Sequence, residues 1–318
     1  MPTQKALREE ITARIVAALE KDLLPWRRTW STTGPGRHTN IVSKKPYSGV
    51  NPILCEMHAQ QFGFTSRWWA TFNQWKERDC VIKPRPRDVE PGHWGCGIVL
   101  YLPVTKETKD PVTGDKDEEK YWLLRKFTLF NAEQVEGIGA EKYQPSQTPV
   151  STVSSVPDFA PAEELIAKTG ADIRHGGDRA FYRLPMPMGT WPHHADGDYI
   201  QVPHKGSFFN GGYYPTVLHE LGHWSEVRLA WDREKNGYPM GELVAELTAS
   251  YMTAELNIPN GDHLENHAAY VKSWLESMKN DPSYVFQAAK QASKVTDFLL
   301  SFVKQAETEP KPELVEAA

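Results

Sequence analysis

Cysteine is scarce in this sequence: Cys55, Cys80 and Cys96 are odd in number, and no two stand in a C-x-x-C spacing. That excludes a disulfide scaffold and a cysteine-built zinc site, and it suits a reducing compartment. Long apolar runs are missing too. No stretch of about 18 apolar residues is there to span a bilayer, and the first residues lack the apolar centre of a secretory signal. The expectation is a cytoplasmic protein with no membrane partner. Net charge is small at −5, yet unevenly placed. Residues 1–100 hold 15 Lys and Arg against 9 Asp and Glu, a balance of +6 that leaves −11 for the other 218 residues. A basic amino-terminal region on an acidic chain points to a polyanion, and nucleic acid is the common one.

What is present centres on Tyr214-Pro215-Thr216-Val217-Leu218-His219-Glu220-Leu221-Gly222-His223-Trp224, an H-E-x-x-H pattern. On a helix, residues four apart share a face, so His219 and His223 can converge on one metal ion with Glu220 beside its open position. Zinc held by three protein ligands keeps a water and lowers its pKa towards about 7, and a neighbouring carboxylate can take the proton. Glu220 is the candidate base. Pro215 suits a first helical turn, Val217, Leu218 and Leu221 form an apolar stripe, and Gly222 leaves room for close packing. Nineteen residues after His223 comes Glu242, and Glu246 follows one turn later on a second amphipathic segment. This spacing is similar to the thermolysin-type arrangement, in which the first acid binds zinc and the second supports a ligating histidine. Glu242 is then the third ligand and Glu246 the partner of His219, with Glu246 as ligand the alternative. Zinc is the expected ion, with manganese or another divalent cation also suited to the site.

At 318 residues the chain is long enough for two domains. A helix is expected from Thr3 to Leu24, after which Trp26-Arg27-Arg28-Thr29-Trp30 interleaves flat rings with guanidinium groups. Unpaired bases offer exposed faces for stacking at about 1–3 kcal/mol each, and cations track the phosphates. The polar loop that follows carries Arg37, Lys44, Lys45 and Tyr47, and Arg67 and Trp68 stand in a further loop, Ser66 to Trp69. These ten residues are the candidate single-strand-binding set. Seven of the 11 tryptophans fall in the first 122 residues, too many to spend wholly on bases, so packing is the better reading for any one of them.

Short helices are expected from Pro52 to Gln61 and from Thr71 to Arg78, and strands at Gly97–Pro103 and Tyr121–Phe130, separated by a charged loop from Lys106 to Lys120. Residues 139–157 turn to Gln, Pro, Ser and Thr without periodicity, which reads as a linker. Beyond it come a helix at Ala162–Lys168, strands at Asp172–Arg174, Ala180–Leu184 and Asp198–Pro203, the metal helix, and two late helices. Tyr199 to Pro203 is the candidate sheet edge for pairing with an extended peptide. The fold class is α+β in two domains: 1–138 a small sheet backed by helices that binds single-stranded DNA, and 158–318 a zincin-like metallopeptidase domain.

Pro25-Trp26, Tyr47-Ser48-Gly49-Val50-Asn51, Trp69-Ala70-Thr71-Phe72-Asn73-Gln74 and the late H-E-x-x-H with Glu242-Leu243-Val244-Ala245-Glu246, in that order, resemble the ArdC-type antirestriction proteins of conjugative plasmids. The likeness spans nearly the whole chain. It implies a single-stranded-DNA-binding domain akin to that of plasmid primases, joined to a metallopeptidase domain similar to the Spartan proteases that digest DNA-protein crosslinks. It further implies protection of incoming DNA from host restriction, with a restriction enzyme or an unidentified protein substrate as the other partner. The acid that usually precedes the second-helix motif is Gly241 here, which leaves Glu242 the clearer ligand. Two functions of different class follow: a DNA-shielding protein, and a DNA-dependent metalloprotease acting on DNA-bound proteins.

Overall fold

The structure, a computed structural model, describes residues 3–27, 36–109, 116–144, 159–184, 197–208, 212–258 and 267–304. The chain divides into two compact units, Met1–Thr148 with Leu275–Gln287 and Pro149–Trp274 with Ala288–Ala318.

In the first unit, α1 (Gln4–Leu19) starts where expected, the Thr3 side chain accepting from the Ala6 amide and capping an otherwise unpaired donor. Leu7, Ile11, Ile15 and Leu19 form its buried stripe. It stops short of Leu24 because Asp22 takes a positive φ of 57°, which a helix does not accommodate. There follow β1 (Thr39–Asn40), α2 (Asn51–Phe62), β2 (Trp68–Thr71), α3 (Phe72–Lys76), β3 (Val81–Ile82), β4 (Cys96–Lys109), β5 (Lys116–Asn131), β6 (Val135–Glu136) and α4 (Ile138–Glu141). Four strands make one sheet in the order β1-β2-β5-β4, and β3 pairs with β6. The segment expected as a loop at Ser66–Trp69 runs into β2, because pairing with β5 from Trp69↔Asn131 to Thr71↔Leu129 satisfies its backbone. The β4–β5 ladder also extends further than expected, from Cys96↔Leu129 to Lys109↔Lys116, through most of the charged stretch. Its tip, with Thr113-Gly114-Asp115, lies outside the described residues.

Two boundaries differ from expectation for packing reasons. The stretch from Gly139 opens with α4, and Tyr143 is buried with its ring 5.2 Å from that of Trp68 and 6.3 Å from that of Trp75. It belongs to a core with Ile41, Ala70, Ala132 and Val135. Late in the chain, Leu275–Gln287 groups with the first unit. There the Thr12 hydroxyl donates to the Pro282 carbonyl at 2.8 Å, and Lys279 meets Glu20 at 2.6 Å.

The second unit takes α5 (Ala160–Thr169), β7 (Ile173–His175), β8 (Phe181–Arg183), β9 (Tyr199–Val202), α6 (Tyr213–Arg228), α7 (Arg233–Asn236) and α8 (Tyr238–Glu255), with parts of α9 (His267–Asn280) and α10 (Tyr284–Lys304). Its sheet runs β7-β9-β8, parallel then antiparallel. This corrects the edge expected at Tyr199 to Pro203: β9 is the central strand, with Ile200 and Val202 fully buried, and both of its sides are already hydrogen-bonded. Alternation along four residues marks a half-buried strand and is silent about which neighbours flank it. Among the described residues the edges are β7 and β8, and β8 packs on α6. Among the described residues no helix is long and apolar enough to cross a membrane.

Candidate metal centre and nucleic-acid surface

The metal helix α6 begins at Tyr213 with Pro215 in its first turn and buries Val217, Leu218 and Leu221. It lies against α8. At the closest approach a Cβ added to Gly222 would stand 3.0 Å from the Ala245 Cα and 3.2 Å from its Cβ. Glycine therefore sets the helix spacing, and that spacing brings His219 and His223 on one helix face to the carboxylates of the other.

The nitrogens and oxygen of His219, His223 and Glu242 that would hold an ion all lie within 4.8 Å of one another. Tetrahedral ligation at about 2.0–2.1 Å places neighbouring donor atoms about 3.3–3.5 Å apart. His219 Nε2 is 3.5 Å from Glu242 Oε2, and His223 Nε2 is 3.4 Å from Glu242 Oε1, so the donor set fits a divalent cation. Glu242 rather than Glu246 stands at the two Nε2 atoms. Glu246 approaches the other side of His219, with Oε2 3.9 Å from Nδ1. That nitrogen is buried with no hydrogen-bond partner, so Glu246 is on the expected side of the ring but beyond hydrogen-bond reach. Glu220, beside His219 in the chain, is buried as well.

Two residues at this centre were not anticipated. Glu226, one turn after His223, accepts from its Nδ1 at 2.8 Å when that nitrogen carries the proton. This orients the ring and leaves Nε2 facing Glu242. Its signal was the i,i+3 spacing after the second histidine. Arg233 on α7 reaches the same place, with Nη2 2.8 Å from His223 Nδ1 and 3.4 Å from Glu242 Oε1, and Nε 3.3 Å from Glu226 Oε2. Nothing in the sequence marked it. Burial alone would push the His223 imidazole down, but the bonded carboxylates of Glu226 and Glu242 and the charge of Glu220 raise it to about 9. Burial likewise opposes ionisation of Glu242, and hydrogen bonds from both imidazoles win and hold its carboxyl well below the usual range. The field of the cluster favours positive charge, which is what a cation site needs.

In the first unit the structure sorts the candidate DNA-binding set. Trp26 and Arg37 are buried, at 2% and 3% exposure, so neither side chain offers a face to a strand. A large aromatic ring gains most by burial where apolar area is available, and Trp26 takes that place. Arg28 and Trp30 lie outside the described residues, and Arg27 is half-buried, its carbonyl accepting from Gln60.

The others gather. Thr71 caps α3 in a reciprocal box with Gln74, whose side-chain oxygen also accepts from Asn40 Nδ2 at 3.0 Å. Asn40 in turn donates to the Tyr47 hydroxyl and accepts from the amides of Val42 and Ser43, closing a turn that presents Lys44 and Lys45 to solvent. Lys44 Nζ stands 4.8 Å from the Trp68 ring and 4.3 Å from the Tyr143 ring, and donates to the Tyr143 hydroxyl at 2.6 Å. The Arg67 guanidinium lies 4.3 Å over Trp68. The stretch expected as linker contributes too: the buried Tyr143 ring backs this surface, and the exposed Lys142 has its Nζ 5.2 Å from that ring. Burial raises the Tyr143 phenol, but the bond and charge of Lys44, with Lys142, lower it overall.

Comparison with known proteins gives a consistent answer. The model of the N-terminal domain of the anti-restriction factor ArdC matches residues 5–130, and that of a zincin-like metallopeptidase matches residues 160–291. Protein y4eC of Sinorhizobium fredii is 30% identical over 92% of this chain and 90% of its own length. A DNA primase TraC of Escherichia coli is 32% identical over 99% of this chain, which spans 29% of that longer protein. Metal-free ArdC from the R388 plasmid is similar in structure, with a TM-score of 0.69 and 29% identity over 94% of this chain and 98% of that one. The Mn(II)-bound form of that protein gives 0.63 and 28% over 93% and 97%. The zincin-like family implies a divalent metal, and the donor set of α6 and α8 fits one. With both domain types in this order and the similarity running along nearly all of it, the chain belongs to the ArdC family of antirestriction proteins.

Proposed function

We propose that this chain binds single-stranded DNA through its first unit and protects DNA entering by conjugation from host restriction, while its second unit carries a metallopeptidase site. The observation that carries the binding half is the ordered surface of Lys44, Arg67 and Trp68, backed by the buried ring of Tyr143, in the unit matched to the ArdC N-terminal domain. Cations held against aromatic rings provide both needs of single-strand recognition, charge for phosphates and flat faces for bases. Lys45 and Lys142 extend the charge. Incoming conjugative DNA and restriction enzymes meet in the cytoplasm, where this reading places the protein.

In the second unit His219, His223 and Glu242 would hold the ion, zinc or manganese. A bound divalent ion supplies Lewis-acid activation of a water and a carbonyl. Glu220 is then the general base for that water, Glu226 fixes the His223 ring, and β8, the strand beside α6, is the candidate guide for an extended peptide. The second reading, a DNA-dependent metalloprotease acting on DNA-bound proteins, is favoured by the completeness of this cluster.

Plasmid transfer into restricting and non-restricting recipients separates the two. With Glu220→Gln, protection is expected to survive. With Lys44→Glu and Arg67→Glu together, it is expected to be lost. Loss with Glu220→Gln and survival with the double charge reversal would make the protease reading the correct one.

A further inference from the structure

We propose that Arg233 is a resident counter-cation of the metal cluster, competing with the divalent ion and keeping it exchangeable. The inference rests on His219, His223 and Glu242 being the ligands. Arg233 comes from α7, outside the helix pair that carries those ligands, and its guanidinium touches three of the groups the ion depends on. These are His223 Nδ1 at 2.8 Å, Glu242 Oε1 at 3.4 Å and Glu226 Oε2 at 3.3 Å. The Tyr238 ring, 5.1 Å from the guanidinium carbon, steadies it.

His223 Nδ1 is also 2.8 Å from Glu226 Oε1, and one nitrogen serves one of the two partners at a time. Donating to Glu226 leaves the Nε2 lone pair for a metal. Arg233, beside the same nitrogen and paired with Glu226 Oε2, competes for that bond and loosens the hold that aims Nε2 at an ion. The contact with Glu242 works the same way, since an oxygen engaged by a guanidinium is a poorer ligand for an ion. Charge adds to geometry. Glu220, Glu226, Glu242 and Glu246 are all buried, and Arg233 offsets part of their mutual repulsion when no ion does. Once an ion arrives, the same positive charge opposes it.

The seat for this side chain is built into α8. A Cβ on Gly241 would stand 3.1 Å from Arg233 Nε, 3.4 Å from its Nη2 and 3.4 Å from Glu226 Oε1. Glycine there leaves the guanidinium its place, although nothing in the backbone of α8 calls for one. Alanine would serve the helix better and crowd Arg233 away from the cluster.

The experiment is Mn(II) titration of the chelator-stripped full-length protein, read by the electron paramagnetic resonance of free Mn(II), with thermal unfolding of the stripped and loaded forms alongside. Arg233→Met is expected to bind Mn(II) about tenfold more tightly than wild type, and Gly241→Ala a few-fold more tightly. Arg233→Lys, which keeps the charge, is expected to stay within about twofold. The stripped Arg233→Met protein is expected to melt below wild type, with a larger upward shift on loading. Unchanged or weaker Mn(II) binding in Arg233→Met overturns the proposal and leaves Arg233 a structural prop. Should that variant not fold, Gly241→Ala decides by the same sign. A wild-type protein that takes up no Mn(II) sinks the ligand assignment itself, and is told apart because no variant then has a reference isotherm.

Discussion

The two candidate sites of this protein are built on opposite plans. The metal cluster is buried, its side chains come from the facing helices α6 and α8 with Arg233 added from α7, and each group is fixed by charged neighbours a few ångströms away. The surface around Trp68 is half-exposed and assembled from a turn, a strand and the residues after a short helix, held by cation-ring contacts. The difference teaches what each can recognise. A small ion demands donors at set distances in a low-dielectric setting, whereas a polymer of repeating charge and flat bases tolerates spread contacts and gains from their number. Losing one group should therefore be severe in the first site and graded in the second.

The sharpest way to break that contrast is to remove one of the proposed metal ligands. His219→Ala is expected to lower divalent-ion affinity by at least about a hundredfold, measured as bound metal after dialysis, while single-strand affinity stays within about twofold by fluorescence anisotropy. A parallel loss of DNA binding would show that the sites are not independent. Acid should strain the first unit through a group in neither site. His58 is buried among Phe62, Phe64 and Trp69, and burial, with the charge of Arg14 adding, lowers its imidazole to about 4 against the backbone bond near Trp94. Because the unfolded chain takes up this proton near pH 6.5, the stabilisation is complete above that pH. It is lost progressively as pH falls to about 4, amounting to about 3 kcal/mol. Urea unfolding of the first unit, followed between pH 7 and 4, should show a slope that His58→Leu flattens.

Gly222→Ala tests the helix spacing beneath the cluster. With backbone 3.0 Å from the added methyl, a destabilisation of about 1–3 kcal/mol is expected, together with weaker metal binding. A variant as stable as wild type would mean that α6 and α8 have slack. The smallest effect belongs to the surface. Lys44→Ala should reduce the slope of log affinity against log salt for a single strand by about 0.7, as one phosphate contact is lost. An unchanged slope would place Lys44 outside the DNA path.

Legibility followed the same division. The spacing His219, Glu220, His223 with Glu242 declared itself because a helix turns local spacing into shared direction, and Gly222 could be read as a close approach before its partner Ala245 was known. Glu226 is readable by the same rule, one turn after His223. The surface is only half legible: residue type picks out Lys44, Arg67 and Trp68, yet the same criterion chooses Trp26 and Arg37, which are buried, and misses the exposed Lys142. Type reports what a side chain can do, and burial reports whether it faces anything.

What the sequence determined by itself is therefore the set of features carried by neighbours in the chain: the caps of α1 and α3, the period of α6 and α8, the pair of histidines and the glycine between them. Only the tertiary structure decided that β9 is central, that Leu275–Gln287 joins the first unit, and that Arg233 reaches His223 and Glu242 from a third element. The physical reason is range. Helical direction is set by dihedral angles within a turn, whereas strand order, burial and ion pairing are set by which distant segments exclude water from one another, and no local pattern encodes that choice.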